Sequence, residues 1–395
     1  MSDTVYYDPY DFDIDTDPYP TWKRLRDEAP LYYNEKYDFF ALSRFDDVER
    51  VSIDWRSYVS GRGTVLEVIK SGMEIPPGQI VFEDPPSHDV HRGLLARVFT
   101  PRRIAEVEPK AREFCAETLD PLVGGDGFDF IGDIGAHMPM RMIGMLLGIP
   151  EKDQQALRDQ IDAALQLSDP EPKSGVMQDL NDGSGFVDYL RWKADNPTDD
   201  IMSELLTVEF EDHTGVTRRL TIDEIVTYVN LLAIAGNETT TRLIGWTGKL
   251  LSEHPEQRRM IANDRSLIPN AIEELLRYEA PSPVNGRVVD KPMELHGETV
   301  PAGSALLLLN GAGNRDERHF EDPDRFDITR KIDHHLSFGY GLHYCLGAAL
   351  VRLEARVALD EVLNRFPDWE VDWERAEQAH TSTVRGWSKL PVKIV

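Results

Sequence analysis

Ten residues, Phe338 to Gly347, constrain this chain more than any other stretch: they read FGYGLHYCLG and contain one of only two cysteines among 395 residues. Apolar residues at helical spacing follow them, so the sequence predicts a helix that begins just after Cys345. A cysteine at a helix N-terminus meets unpaired backbone N–H groups and the positive end of the helix dipole, which favour a thiolate. Gly339 and Gly341 can adopt positive φ and fold the chain tightly beneath a flat ligand.

The cysteine has two interpretations. Free cysteine is among the most buried residue types, so an isolated Cys345 is explained by an unreactive thiol inside an ordinary glycine-containing loop. The alternative is a metal ligand. Without a CxxC pair or nearby Cys and His partners, it fits neither a structural zinc site nor an iron–sulfur cluster, whereas haem with one axial thiolate needs only one cysteine. Phe338 would then shield the sulfur from water, and Gly347 would allow the close approach of another surface.

The pattern FGxGxHxCxG resembles the haem-binding loop of the cytochromes P450, and all six specified positions are present. The resemblance implies that haem b is the cofactor and that Cys345 is its iron ligand. It also implies that Phe338, Gly339, His343 and Gly347 contact the cofactor. The short chain is similar to the bacterial members of the family.

A helix predicted after Pro85-Pro86 carries His88 and Arg92, which are four residues apart and share one face. Two cations on one face suit a pair of carboxylates, although a solvated basic face would look the same. The stretch resembles the family's C helix, which implies that His88 and Arg92 bind the haem propionates. Arg287 matches a further propionate-binding arginine. The role of His91 stays open.

The longest helical pattern runs from Thr221 to Glu253, with a capping box formed by Thr221 and Glu224 and a stop at Pro255. About 33 residues at 1.5 Å each would span roughly 50 Å. We expect this helix to cross the whole domain.

The middle of this helix reads AGNETT, residues 235–240, which is poor helix-interior sequence. Thr239 can bond back to the carbonyl of Ala235 and bend the helix, although a merely weak helical segment is the alternative. The segment resembles the family's oxygen-activation motif, which implies catalytic roles for Thr239 and for Glu238 as a proton relay. Leu231, Ile234 and Ala235 precede it by one or two turns, and we expect them to face the substrate.

Four further residues are substrate-lining candidates by resemblance alone: Val284, Asn285, Thr383 and Val384. Glu274 and Arg277 form the E-x-x-R of the family's K helix, a spacing that also occurs in surface ion pairs. The later DPDRF stretch resembles the loop whose arginine, here Arg325, joins that pair. In the family this trio locks the core behind the haem.

Composition limits the class of partner and the setting. The net charge is -27, from 70 acidic and 43 basic residues, which argues against nucleic acid and anionic membrane. The chain lacks an apolar run of 18 residues, and its acidic start is unlike a signal peptide. Cys115 lies in helical sequence and is most simply a core thiol, so a reducing cytoplasm is the expected setting. We expect a monomer, with residues 1–395 forming one mainly α cytochrome P450 domain that has a smaller β-rich part.

The resemblance implies a monooxygenase that inserts one atom of O2 into a hydrophobic small molecule, with electrons from a ferredoxin and its reductase. An acidic ferredoxin would need a local basic patch, for which the candidates are Arg97, Arg103, Arg352 and Arg356; scattered solvated charges are the alternative. Two other functions stay open: a haem-thiolate sensor without turnover, and a peroxide-driven enzyme. Neither needs Thr239 or Glu238, so the two residues favour the oxygenase.

Overall fold

The computed structural model describes residues 4–97, 99–167, 171–172 and 184–395. It is mainly α-helical with smaller sheets, which confirms the predicted fold class. The α-helices are α1 (Phe12–Thr16), α2 (Tyr19–Glu28), α3 (Phe45–Ile53), α4 (Leu66–Ser71), α5 (Ser87–Ala96), α6 (Pro101–Leu119), α7 (Met138–Leu147), α8 (Glu151–Leu165), α9 (Ser184–Asp195), α10 (Ile201–Thr207), α11 (Ile222–Glu253), α12 (Pro255–Asn263), α13 (Ile268–Tyr278), α14 (Asn310–Gly313) and α15 (Ala348–Arg365).

The strands form small sheets beside the helical part. They are β1 (Leu31–Asn34), β2 (Phe39–Leu42), β3 (Tyr58–Val59), β4 (Gly127–Asp129), β5 (Glu209–Glu211), β6 (Thr217–Arg219), β7 (Asn285–Val289), β8 (Met293–Leu295), β9 (Glu298–Val300), β10 (Ala305–Leu308), β11 (Trp369–Val371), β12 (Glu377–Ala379), β13 (Gly386–Lys389) and β14 (Pro391–Ile394). The largest sheet has the order β1-β2-β10-β7-β3. In it β10 runs parallel to β2, with Leu306 opposite Phe40, and antiparallel to β7, with Leu306 opposite Arg287. This register fixes Arg287 in the middle of a buried strand.

Helix α11 is the longest element and packs against α7, α9, α13 and α15. It begins as predicted, because Thr221 and Glu224 form the reciprocal capping box. Its apolar residues are buried over most of its length, so the helix forms part of the core on several sides. The polar residues in its middle are therefore held inside the protein.

Residues 56–80 contain several glycines and prolines, which are typical of a long loop, but the structure has β3 and α4 there. Leu66 and Val68 of α4 are buried. The apolar stretch from Phe130 to Gly148 is divided into a π-helical turn and α7. Part of the loop-rich stretch predicted over 168–200 lies outside the described residues, and α9 lies within the rest. Within the described ranges, no helix is long and apolar enough to cross a membrane.

Candidate active site

A cavity of about 280 Å³ lies between the loop 338–347 and helix α11. The loop contributes Cys345 to its wall, and α11 contributes Thr239. Residues from α5, the start of β7 and the end of β10 close its sides. Segments far apart in the sequence therefore meet at this central cavity, and the thiol and the threonine hydroxyl lie on different walls.

Backbone geometry holds the cysteine loop in a tight turn. The N–H of Cys345 donates to the carbonyl of Phe338 at 2.8 Å, and Gly339 and Gly341 have φ of 68° and 71°, as predicted. A Cβ on Gly341 would lie 2.8 Å from the carbonyl oxygen of Ser52, so this position requires glycine for close approach as well as for φ. A Cβ on Gly347 would meet no atom within 4 Å, and this residue lines the cavity. The loop is thus packed tightly on α3 and left open toward the cavity.

Cys345 is partly buried, and burial raises the pKa of its thiol. The backbone N–H groups of Gly347 and Ala348 and the guanidiniums of Arg92 and Arg352 act in the opposite direction, as expected for a helix N-terminus. They do not outweigh the loss of hydration, so a stable thiolate here needs a partner such as a metal ion. Cys115, by contrast, is a core thiol as predicted, and burial raises its pKa to about 12.

Two arginines on the cavity wall carry charge without an acidic partner. Arg287 is only 6% exposed, and burial lowers the pKa of its guanidinium to about 10. It donates to the carbonyl of Gly286 at 2.7 Å, while Arg92 donates to the carbonyl of Tyr344. Within the described part of the chain neither forms an ion pair, so each is suited to an anionic ligand.

Two uncharged histidines complete this cationic edge, whose positive charge comes from Arg92 and Arg287. The rings of His88 and His343 are 4.6 Å apart, and both Nε2 atoms are buried without a hydrogen-bond partner among the described residues. Burial, with the neighbouring Arg287, His88 and Arg92, lowers the pKa of His343 to about 3. His91 has a different role, because its Nδ1 lies 2.8 Å from a carboxylate oxygen of Glu83. The guanidiniums of Arg92 and Arg287, with the free ring nitrogens of His88 and His343, would hold an anionic group such as the propionates of a haem.

The α11 side of the cavity is apolar up to Thr239. Leu231 and Ala235 line it, and the hydroxyl of Thr239 donates to the carbonyl of Ala235 at 3.3 Å, as predicted. Ile234 does not line the cavity; it packs against an apolar cluster on another side of α11. Sequence reasoning missed Leu232, Gly236 and Thr240, which the helical period places on the same wall.

Glu238 is buried beside this wall but does not line the cavity. One of its carboxylate oxygens lies 2.6 Å from Nη2 of Arg242, one turn later on α11. Arg242 also donates to the backbone carbonyl of Trp387. The carboxylate is therefore held by an ion pair in this structure and does not point freely toward Thr239.

The four substrate-lining candidates that were taken from resemblance do not all line the central cavity. Asn285 lines the central cavity. Val284 and Thr383 instead line smaller neighbouring pockets, and Val384 lines one of these. These three residues lie on the segments before β7 and before β13, one layer behind the cavity wall.

Glu274 and Arg277 form a fully buried ion pair, with Nε and Nη2 of Arg277 2.7 and 2.8 Å from the two carboxylate oxygens. Arg277 also donates to the carbonyl of Asn314 at 2.8 Å. Glu274 accepts from the N–H of Asp327 at 2.9 Å and lies 3.3 Å from Nε of Arg330. We call Glu274, Arg277 and Arg330 the buried clamp.

The expectation that the side chain of Arg325 joins this pair was wrong. Its side chain is 66% exposed and lies 2.9 Å from Asp327. Only its carbonyl takes part, as an acceptor for Arg277 and Arg330. Arg330 occupies the place on Glu274 because its side chain, only 9% exposed, folds back over the turn and donates to carbonyls there.

One buried residue at the cavity was missed. Glu354 on α15 is 1% exposed and lines the cavity, and neither of its carboxyl oxygens has a hydrogen-bond partner within the described residues. Burial raises the pKa of this carboxyl well above its usual range, and the nearby Thr240 hydroxyl opposes this only in part. A helical period links Glu354 to the buried Leu350 and Val357, which was the available signal.

The comparisons with known proteins agree with this site. The family model for cytochrome P450 matches residues 186–393. A putative cytochrome P450 123 from Mycobacterium tuberculosis is 38% identical over 98% of this chain and 96% of its own length. The chain belongs to the cytochrome P450 family. Cytochrome P450 CYP107DY1 from Priestia megaterium is 37% identical over 94% of this chain and 89% of its own.

Solved P450 structures match over nearly the whole chain. A mutant of P450 EryK in complex with erythromycin B has a TM-score of 0.88 at 32% identity and covers 96% of each chain. CYP109E1 from Bacillus megaterium in complex with testosterone has a TM-score of 0.86 at 29% identity, over 97% of this chain and 99% of that one. Family membership makes this P450 an oxidoreductase of the monooxygenase class, with haem b and a cysteine thiolate ligand. The open face at Gly347, the thiol and the unpaired cationic edge fit that cofactor.

The arginines proposed for electron-partner docking are mostly neutralised within this P450. Arg103 lies 2.8 Å from Glu204, Arg352 lies 2.7 Å from Glu273, and Arg356 lies 3.0 Å from Glu108. Arg97 has no ion pair within the described ranges. The geometry therefore gives only a small free basic surface.

Proposed function

We propose that this P450 is a haem-thiolate monooxygenase that inserts one oxygen atom from O2 into a hydrophobic small molecule, with electrons from a ferredoxin and its reductase. One observation carries the proposal: the cavity has Cys345 on one wall and an apolar helix ending at Thr239 on another. An apolar wall with few polar groups suits a hydrophobic molecule held largely by shape. Similar structures hold ligands as different as erythromycin B and testosterone, so the relatives do not narrow the substrate.

Each residue has a defined task in this proposal. Cys345 ligates the iron, and Arg92, Arg287, His88 and His343 hold the propionates. Bound haem with a thiolate ligand supplies the activation of O2. The hydroxyl of Thr239 holds a water molecule and passes protons toward the oxygen-binding side of the cavity. Glu238 relays those protons: once its carboxylate leaves Arg242 it takes up a proton from solvent and passes it toward Thr239, which makes release of this ion pair part of the relay.

The first experiment is a ligand screen of the haem-loaded protein. A hydrophobic ligand that displaces iron-bound water shifts the haem spectrum, and the hits are then incubated with ferredoxin, reductase and isotopically labelled O2. Product that contains one labelled oxygen atom is expected. Binding without any product would favour the sensor, and product formed from hydrogen peroxide but not from O2 and reductant would favour the peroxide-driven enzyme.

Thr239→Ala separates oxygen activation from binding. The variant should bind haem and ligand normally, because neither the iron ligand nor the apolar wall changes. It should consume reductant while releasing more hydrogen peroxide and less product. Glu238→Gln should slow the whole cycle by about 10²-fold, the lower end for a general acid–base group. Unchanged product per reductant in the first variant and an unchanged rate in the second would remove the proton relay from the proposal.

The electron donor and the setting complete the proposal. We propose one P450 domain over residues 1–395 that acts as a monomer in a reducing cytoplasm, where both cysteines stay free. The neighbouring arginines are ion-paired, so Arg97 is the arginine left to attract an acidic ferredoxin electrostatically. Arg97→Glu should raise the ferredoxin concentration needed for half-maximal rate, and Arg102→Glu, an exposed arginine already paired with Glu106, is the matched control.

A further inference from the structure

A second cavity, of about 100 Å³, lies directly beside the central one. The two share three wall residues, Thr64, Ser282 and Asn285. We call the second cavity the side pocket. It is enclosed by the N-terminal segment, by α4, by the start of β7 and by the segment before β13, so it lies off the central cavity and away from the cysteine loop.

A carboxyl group lies at the side pocket. Glu67, in the first turn of α4, lines it, and its Oε1 is buried without a hydrogen-bond partner within the described residues. Burial raises the pKa of Glu67, while the hydroxyls of Ser382 and Tyr10 interact with the carboxyl and lower it in part. None of the described residues forms an ion pair with it.

Glu67 differs in this from the glutamates that hold the fold together. Glu279, which is also buried, lies 2.7 Å from Nη1 of Arg385, and Glu274 has its cations in the buried clamp. A buried oxygen without a donor is unfavourable, so a structural carboxylate normally has its partners in place. The rest of the side-pocket wall includes the apolar residues Val65, Leu66, Val284 and Leu307. One oxygen of Glu67, Oε1, is therefore an unused acceptor in a pocket whose wall combines apolar and polar side chains.

The volume suits a small polar group rather than a whole molecule. About 100 Å³ accommodates a group the size of a few water molecules. The shared wall of Thr64, Ser282 and Asn285 places this space next to the larger apolar cavity. An elongated molecule that filled both cavities would extend past these three residues.

We propose that the side pocket is a substrate subsite in which Glu67 accepts a hydrogen bond from a terminal hydroxyl or protonated amine, while the apolar body of the substrate lies in the central cavity. This inference rests on the proposed function, because it assumes that the central cavity binds the substrate. It adds a chemical class to that substrate: a hydrophobic molecule with one hydrogen-bond donor at the end remote from the oxidised carbon. A donor that pairs with a buried acceptor gives strong discrimination against the analogue that lacks it.

The test uses sets of matched probes on the haem-loaded protein. One set is 5α-androstan-17-one with hydrogen, hydroxyl or dimethylamino at carbon 3. The other is undecylbenzene with the same three groups at the far end of the chain. Affinities are measured by equilibrium dialysis, which does not depend on the haem spectrum. In at least one set the hydroxyl and amine members should bind about tenfold more tightly than the hydrogen member.

Three variants test whether the Glu67 side chain causes this preference for a hydrogen-bond donor. Glu67→Leu should abolish the preference for both donors, while Glu67→Gln should keep the preference for the hydroxyl and lose that for the ammonium. Glu74→Gln, an exposed glutamate in the following loop, should behave like wild type. Equal binding within both sets, or a preference that survives Glu67→Leu, would overturn the subsite. Turnover without discrimination would refute the subsite alone, whereas discrimination without turnover would refute the monooxygenase and leave the subsite.

Discussion

Two fully buried glutamates, Glu274 on α13 and Glu354 on α15, lie on helices that pack together, yet their surroundings are opposite. Glu274 is bound by two arginine side chains and a backbone N–H. Glu354 has no hydrogen-bond partner among the described residues, and its pKa is raised well above the usual range by burial. The carboxylate of the buried clamp has its partners in place, whereas the carboxyl at the central cavity has none within the described residues.

Several of the polar groups without partners lie together at the central cavity. Described residues with an unpartnered buried polar atom at or beside the central cavity are His88, Thr240, Asn310, His343 and Glu354. Buried polar atoms are normally paired, so a cluster without partners marks the place where a ligand or water completes the structure. The buried clamp therefore supports the fold, and the central cavity is organised for what it binds. The four substitutions below test this distinction.

Cys345→Ala should have the largest effect of these substitutions, and it should change haem ligation without changing the fold. The thiolate signature of the haem should disappear completely, because the side chain that ligates the iron is removed. The clamp is untouched, so the haem-free chain should stay folded. The absorption spectrum of the reduced, carbon monoxide-bound protein is the measurement. Cys115→Ser should leave it unchanged, and a thiolate spectrum retained by Cys345→Ala would show that another residue is the ligand.

Arg277→Ala tests the other region. It leaves Glu274 buried with a weakened partner set, which typically costs about 3–5 kcal/mol of folding free energy. Little soluble, haem-loaded protein should result, and urea unfolding of what remains should show the loss. Arg325→Ala is the matched control: its exposed side chain should contribute within about 0.5 kcal/mol. If both variants were equally stable, the ion pair would not support the fold.

The contrast between Arg325 and Arg330 shows where sequence reasoning reached its limit. The cysteine loop and α11 were predictable because their signals are local: positive-φ glycines, a capping box and apolar residues at helical spacing. Which of two arginines five residues apart reaches Glu274 depends on the turn that begins at Asp322, where φ is 44°. That choice is made by packing against distant residues.

The lining of the cavity shows the same limit. The α11 wall follows from the helical period, which explains why Leu231 and Ala235 were placed correctly. Ile234, one residue earlier than Ala235, points about 100° away around the helix. The helical period places Glu354 on the buried face of α15, but only the fold shows that this face reaches the cavity.

Arg287→Gln tests whether this buried arginine contributes to folding stability or to haem binding. Within the described part of the chain the arginine forms no salt bridge, and the Asp84 carboxylate attracts it without direct contact. Its removal should therefore not reduce the stability of the haem-free protein. The haem should bind roughly tenfold to hundredfold more weakly, which corresponds to the loss of about 1.5–3 kcal/mol for a charged hydrogen bond. Transfer of haem to apomyoglobin measures this loss. If the haem-free variant were less stable and bound haem as tightly as wild type, Arg287 would support the fold and not bind the haem.

Glu354→Gln should have the smallest effect, and its dependence on pH identifies the cause. The raised pKa means that the carboxyl is neutral in the folded protein, whereas in the unfolded chain it ionises near its usual value of 4.5. Folding therefore takes up a proton at neutral pH, and the free energy of unfolding falls as pH rises from about 4.5 toward the raised pKa. Glutamine has no such dependence. Near pH 4 the two proteins should be similar, and the variant should become progressively more stable relative to wild type as pH rises from there toward the raised pKa.

Glu273→Gln, at the position next to Glu274, provides a control of opposite sign. Burial acts to raise the pKa of Glu273, but its bonds to Arg352 and His335 outweigh burial and lower the pKa to about 2. The stability that this carboxylate contributes is present above pH 4.5 and is lost as pH falls toward 2. The variant should therefore be less stable than wild type at pH 7 and approach it in acid. Urea unfolding across pH 4–8 for Glu354→Gln and across pH 2–7 for Glu273→Gln, each beside wild type, measures the two trends. Parallel curves for wild type and Glu354→Gln would mean that Glu354 is ionised and has a partner.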